Sequence, residues 1–397
     1  GQNKDTYSVS DGKKIKVYDR RSENNDIEQK GGAHFRFTNF YDANLYDYTK
    51  VKRKTSTLQL AVANNPDDGT NIGVSIEKKR NDFITNPYGQ RAFLRFNYQT
   101  ITQGIAVDFE KAYAAIFRDV NLVLDGRFTS RNYTENFFGF GNETKNRDDS
   151  LSLDFNRVNL SYYEGGVGLE RASDYGSFFQ LKMDVQSVEL IRNGNNFLAE
   201  NGSVLLGSRS YFLIPTATYR YENLDNSFAP TKGMHFSTTV GGIDAFDSNN
   251  LTGFAKSKVV FYNSLLSNNR MILKTMANTH LLMGDQPTFY QSPTLGADNG
   301  LRGYRAERFT GRHSLAGTGE VSYRFQQMKT FLFPLSFVVY GGVDVGRVWL
   351  KNDTSDKWHN AYGGGLRIRW TNAIKANIST FRSDEGVRLE FGFRFTY

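Results

Sequence analysis

Catalysis needs nucleophiles, acid–base pairs or metal ligands held at short spacing, and this chain offers few of them. It has no Cys, which removes disulfides and any Cys-based zinc or redox chemistry. Its five His, at positions 34, 235, 280, 313 and 359, stand singly. A dinuclear metallohydrolase needs several His and Asp ligands close together, and Gly141, Asn142, Glu143 lacks the His of a metal-binding Asn-His-Glu. No nucleophile elbow, Walker loop or Rossmann fingerprint follows a strand in the right context. No catalytic residue, metal site or cofactor is therefore expected, and the chain reads as a non-enzyme. What remains is charge beside aromatics: 49 Lys plus Arg against 41 Asp plus Glu, net +8, with 32 Phe and 22 Tyr. The excess is mild, and no nucleic-acid partner is expected.

The elements that would position those groups are strands. Mean hydropathy is −0.53, and no window approaches the roughly 18 to 20 consecutive apolar residues of a membrane helix. A transmembrane barrel escapes that test, because only every second residue faces lipid. From about Ser56 onward strict alternation recurs, most clearly where Val387, Leu389, Phe391, Phe393, Phe395 and Tyr397 interleave with Arg388, Glu390, Gly392, Arg394 and Thr396. The pattern predicts strands over 57–64, 71–80, 91–99, 103–111, 119–129, 150–163, 165–173, 178–190, 209–222, 234–243, 253–263, 269–283, 315–326, 335–349, 360–370, 373–381 and 386–396.

A single-chain bacterial barrel has an even strand number. The break at Glu164, Gly165, Gly166 is the one to remove. Val158, Leu160 and Tyr162 are apolar at even positions and Val167 and Leu169 at odd ones, as a β-bulge within one strand would produce. Merging 150–173 gives sixteen strands. Long outer connections then fall at 130–149, 191–208, 244–252, 284–314 and 350–359, and short periplasmic turns alternate with them. The fold expected is all-β: a sixteen-stranded antiparallel transmembrane β-barrel over 57–397, with a long sixth extracellular loop folded into the lumen. A soluble sandwich would leave too many large aromatics exposed.

Residues 1–56 read as a soluble periplasmic segment or the remnant of an upstream domain, the chain opening at Gly1 as a processed or truncated form would. Within that segment, Asp11 and Gly12 lie between the alternating runs 7–10 and 13–17, which predicts a tight primed hairpin. In the barrel, Leu366, Ile368 and Trp370 would face lipid and Arg367 and Arg369 a wet lumen; Tyr and Phe at strand ends would form interfacial girdles.

Gly300, Leu301, Arg302, Gly303 and Tyr304 lie in the longest outer loop, followed by Gly317 to Val321, then Gly341 to Trp349, with Pro230 to Gly233 earlier in the chain. Together these resemble the BamA and TamA superfamily of outer-membrane insertases and two-partner-secretion transporters. The resemblance implies sixteen strands, and a sixth loop that carries an Arg-Gly-Tyr tip into the lumen. Alternation puts Glu320 and Asp344 on the lumenal face, where the Arg302 guanidinium could reach both through charge-assisted hydrogen bonds. Gly303 would allow a tight tip and Tyr304 would pack beside it.

The resemblance further implies a lateral seam between the first and last strands, at Leu58, Leu60, Phe391, Gly392 and Phe393, that templates incoming strands. Gly392 would weaken pairing there. The POTRA domains of the insertases do not fit within residues 1–56. The outer loops at 65–69 and 137–143 look like those of barrels that follow a calcineurin-like phosphoesterase domain in some Bacteroidetes proteins.

The function expected is translocation or insertion of protein, including an attached passenger, in the outer membrane of a Gram-negative bacterium. A diffusion porin, or an anchor for a surface-binding or enzymatic domain, stands beside it. Partners expected are outer-membrane lipid and lipopolysaccharide, a polypeptide substrate or passenger, and accessory proteins.

Overall fold

A computed structural model of the chain describes residues 4–39, 54–65, 67, 69–81, 88–117, 119–173, 175–192, 196–200, 207–247, 251–284, 288–331, 334–351, 354–370 and 373–397. Sixteen long strands form one closed antiparallel ring: β1 Lys54–Asn65, β2 Gly69–Arg80, β3 Gln90–Gln99, β4 Ile105–Phe117, β5 Val120–Thr129, β6 Arg157–Ala172, β7 Ser177–Ile191, β8 Arg209–Leu224, β9 Gly233–Ala245, β10 Leu251–Ser264, β11 Met271–Gly284, β12 His313–Arg324, β13 Pro334–Trp349, β14 His359–Trp370, β15 Ile374–Ser383 and β16 Gly386–Thr396. Each pairs with its sequence neighbour, and β16 pairs back with β1. No helix among the described residues is long and apolar enough to cross a membrane.

Alternation decides what each face meets. On β7, Phe179, Leu181, Met183 and Val185 are all exposed on the outside, which is stable only against lipid. Exposed aromatics cluster at strand ends, among them Phe117, Tyr175, Tyr362 and Tyr397, where amphipathic rings favour the headgroup level.

The glycine pair at 165–166 makes no bulge. Gly165 pairs with Val185 on one side and Gly126 on the other, and the register runs unbroken through both ladders. The face does not switch. Val158, Leu160 and Tyr162 point inward and are buried in a lumenal hydrophobic cluster with Phe137, Leu190, Phe254 and Phe289, whereas Val167 and Leu169 face lipid. Toward its long-loop end the lumen is therefore filled in part by apolar side chains of the wall and the infolded loops. Gly166 is required for a different reason: a Cβ there would sit 2.0 Å from Asp184 Oδ1. β6 also starts later than its alternation suggests. Asp148–Leu151 is a helical turn and Leu153–Asn156 a 3-10 turn, both part of the third outer loop.

The N-terminal hairpin is absent too. Thr6–Ser8 runs parallel to Asp26–Gln29, and Lys16–Asp19 parallel to His34–Phe37. A primed turn needs left-handed backbone at both central residues; the left-handed residues here are Gly31 and Gly32, not Asp11 and Gly12. Tyr7, Phe35 and Phe37 pack edge to edge, with the Tyr7 hydroxyl donating to buried Asp19. Residues 40–53 of the expected N-terminal segment lie outside the described residues.

The connection from β8 to β9 is organised by Asp225. Its Oδ1 accepts from the amides of Thr231 at 2.8 Å and Lys232 at 3.1 Å, and its Oδ2 from the Thr231 hydroxyl. Slight burial raises the Asp225 pKa, but these hydrogen bonds outweigh it and bring the carboxyl down to about 2. A carboxyl depressed from the ordinary 3.8 adds stability that is present above that value and lost as pH falls toward 2. Asp225→Ala should speed hydrogen exchange at Thr231 and Lys232 about fivefold at neutral pH, equivalent to about 1 kcal/mol of capping. Wild type should converge on that behaviour only near pH 2.

Candidate functional site

The connection from β11 to β12 folds inward. Thr294–Leu295 pairs with Phe309–Thr310 as a miniature hairpin, and between them Gly300 turns the chain at φ 106° before the tip at 301–304. Left-handed freedom is thus needed at Gly300 and not at Gly303. Gly303 is needed for close approach: a Cβ would lie 2.9 Å from Ala361 Cβ, and the Gly303 carbonyl accepts from Ser383 Oγ at 2.8 Å.

Arg302 reaches both wall acids. Its Nε and Nη2 donate to Asp344 Oδ2 and Oδ1, each at 2.8 Å, its backbone N–H donates to Oδ2 at 3.0 Å, and its Nη1 donates to Glu320 Oε2 at 3.0 Å. The guanidinium lies 4.0 Å over the Phe381 ring. Arg367 of β14 forks onto Glu320 from the other side, at 2.8 and 3.0 Å. Two cations balance two acids, and both acids are almost fully buried, at 2% for Glu320 and 1% for Asp344. A planar fork satisfies a carboxylate's lone pairs in a way an ammonium does not.

Tyr304 is buried edge-on against Phe309 and His359, and its hydroxyl lies 2.6 Å from Asp384 Oδ1. Burial, then the Asp384 carboxylate, pushes its phenol well above the ordinary range.

Two further arginines of the loop carry no signature that spacing alone would reveal. Arg305, 1% exposed, pairs through Nε with Asp67 and through Nη1 with Asp148 at 2.5 Å, and donates to Asn136 Oδ1 at 2.8 Å. Arg308, 2% exposed, pairs with Glu385 at 2.7 Å and donates to the Thr144 carbonyl and hydroxyl. Phe138 of the third outer loop lies beneath both guanidiniums. Asn142 of the same loop uses its side-chain amide as a strand would, bonding the Val348 N–H at 3.1 Å and its carbonyl at 2.8 Å. The segments 65–69 and 137–143 are therefore plug contacts, although Pro66 and Asp68 lie outside the described residues.

These contacts converge on the seam. Six residue pairs join β16 to β1, from Phe391↔Asn64 to Thr396↔Gln59, including Gly392↔Ala63, Phe393↔Val62 and Phe395↔Leu60; Leu58 and Tyr397 exchange both backbone bonds below. By contrast β1–β2 has twelve pairs and β15–β16 has ten. Above Phe391 the outer end of β16 has no described partner from β1. Side chains bridge the gap: Arg388 to Asp67 at 2.6 Å, with the loop's Arg305 on Asp67, Arg308 on Glu385 and Tyr304 on Asp384. Asp67 belongs to the β1–β2 connection and Asp384 and Glu385 to the β15–β16 connection. The infolded loop thus holds the outer ends of the strands on both sides of the seam.

One carboxylate cluster could converge on a cation: Asp125, Glu164 and Asp184 present ligand atoms within 4.8 Å of one another. The Lys182 ammonium already sits among them, 2.6 Å from Asp125 and 2.8 Å from Asp184.

Fold and site together define a sixteen-stranded β-barrel with a lipid-facing exterior and an outer loop folded into its lumen, the architecture of integral outer-membrane proteins. Among solved structures the chain is similar to BamA from Haemophilus ducreyi lacking POTRA domains 1–3, with TM-score 0.63 and 14% identity over 87% of this chain and 71% of that one. It is similar to CdiB from Escherichia coli, with TM-score 0.59, 10% identity and coverage of 92% and 65%, and to CdiB from Acinetobacter baumannii, with 0.56, 12%, 87% and 60%. No family model and no curated protein sequence matches it. The chain therefore has the fold of the BamA and CdiB barrels and spans less than two thirds of the length of the two CdiB chains.

Proposed function

We propose that this barrel moves polypeptide into or across the outer membrane, using the β1–β16 seam as its working edge. The observation that carries the reading is the seam itself, paired over six residue pairs, the outer end of β16 having no partner from β1 among the described residues and being held by side chains and the plug loop. An unpaired strand edge offers backbone groups to an incoming strand by β-augmentation, and side-chain latches can release without dismantling the ring. An attached passenger is one candidate substrate, of the phosphoesterase kind suggested by the loops at 65–69 and 137–143. The mild positive charge suits lipopolysaccharide phosphates, and accessory proteins could deliver the substrate.

The seam can be locked chemically because the chain has no Cys of its own. Leu58 and Tyr397 form a hydrogen-bonded pair, so by alternation Ala63 and Gly392 form a non-hydrogen-bonded one, where Cα atoms approach to about 4.5 Å and a disulfide fits. A Cβ at Gly392 would meet nothing within 4 Å. Oxidised Ala63→Cys/Gly392→Cys should lose surface delivery of a passenger and recover it on reduction. Delivery that continues through the locked seam would reject the mechanism.

A further inference from the structure

Below the Arg302 cluster the lumen turns cationic. A cavity of about 430 Å³ opens toward the short-turn end, lined by Lys258, Lys274, Arg324, Arg367 and Arg369. Its acids are Glu222 and Glu320, and Glu320 is already taken by Arg302 and Arg367. Beside the cavity, Arg369 of β14 stands directly opposite Lys375 of β15, which stands directly opposite Arg394 of β16. All three are on the lumenal face, since Ile368, Ala376 and Phe393 alternate with them on the lipid side.

Among the described residues, no carboxylate lies within 4.0 Å of Lys258, Lys274, Arg324, Arg369, Lys375 or Arg394. Like charges directly opposed across strands are destabilising, and this fold opposes three in a row with no acid among the described residues to offset them. Phe228 of the β8–β9 turn covers them from the rim, its ring centroid 3.4 Å from Lys375 Nζ and 6.0 Å from Arg369 Cζ. A ring offers cations a weak quadrupolar contact and no neutralising charge. Arg324 Nε is buried without a partner.

From this placement we infer that the short-turn half of the lumen is a binding site for an acidic stretch of polypeptide. The cations are strung along neighbouring strands about 4.8 Å apart instead of converging on one point. Among the described residues the backbone N–H groups beside these cations are committed to the ladders, so the strands themselves offer no nest to cradle a phosphate. An extended chain lying along that row, which is about 9.6 Å long, can set two carboxylates about 6.8 Å apart among its three cations. The inference rests on the polypeptide-handling reading for the class of ligand and deepens it by naming the charge of the segment received.

The test uses the full chain in detergent micelles with a fluorescently labelled poly-Glu peptide, followed by anisotropy. Expected are binding at low ionic strength that weakens as salt approaches about 0.15 M, no binding of a poly-Lys control, and about tenfold weaker binding in Arg369→Gln/Lys375→Gln/Arg394→Gln, as the loss of three screened charge pairs implies. Displacement of the peptide by equimolar inorganic phosphate would overturn the inference in favour of a phosphate site, as would undiminished binding by the folded triple variant. If the triple variant fails to fold, the wild-type salt series and the single Lys375→Gln variant decide, and a wild type that does not bind poly-Glu overturns it. Binding by a protein whose delivery ignores the seam disulfide would sink the seam mechanism and leave the cationic site standing; a seam-dependent protein that does not bind would do the reverse.

Discussion

Replacing Arg302 with Met is expected to undock the tip of the infolded loop and let more ions through the lumen. Asp344 takes two side-chain hydrogen bonds from this guanidinium and, among the described residues, has no other cation. Met would leave it buried with only the amide of residue 302, whereas Glu320 would keep Arg367. Removing one partner of a buried pair costs about 3 kcal/mol or more, because the remaining charge is stranded. The barrel wall should survive, since its ladders do not involve the loop. Planar-bilayer recordings should show small, erratic currents in wild type and larger openings in Arg302→Met, similar to those after deletion of 288–311. Arg302→Lys should fall between, since an ammonium restores charge but not the fork. Wild-type-like currents in Arg302→Met would show that the pair does not hold the loop.

Most of the wall was legible in the sequence because a lipid-facing strand obeys one rule along its length. Fourteen of the sixteen strands begin and end close to where alternation places them, β4 running on to Phe117 and β6 starting late, and the ring closes as parity requires. The rule failed where the lumen is not wet. Val158, Leu160 and Tyr162 are apolar because they pack against the infolded loops, yet a period-two reading assigns apolar residues to lipid and so invents a bulge. The N-terminal segment failed for a related reason: Asp11-Gly12 is a strong local turn signal, but pairing there is non-local and parallel.

The site divided in the same way. Arg302, Glu320 and Asp344 could be placed because two of them sit on strands whose faces are fixed by parity. Arg305 and Arg308 follow the same tip by three and six residues, and a count of buried acids would have asked for more cations than one. Their partners Asp67, Asp148 and Glu385 all lie in connections, where no periodicity says which way a side chain points. Only packing brings those residues to the loop.

That second tier supports the other large prediction, Asp67→Ala. Asp67 is 2% exposed and accepts from Arg305 Nε, the Ala306 amide at 3.1 Å and Arg388 Nη2 at 2.6 Å. It thereby joins the loop, the β1–β2 connection and β16. Its removal strands Arg388 and leaves Arg305 with Asp148 as its one acid among the described residues, so a loss of about 3 kcal/mol from the latch is expected. The readout is proteolysis. Arg305 and Arg308 are inaccessible to trypsin when the latch is closed, and in Asp67→Ala cleavage after them should appear under conditions where wild type is resistant. A double-mutant cycle with Arg305→Met separates the latch from general loosening: the pair shares one contact, so the two single effects should add to more than the double by about 1 kcal/mol or more. Strict additivity would mean that Asp67 acts through Arg388 and the Ala306 amide, and that the Arg305 ion pair is no part of the latch.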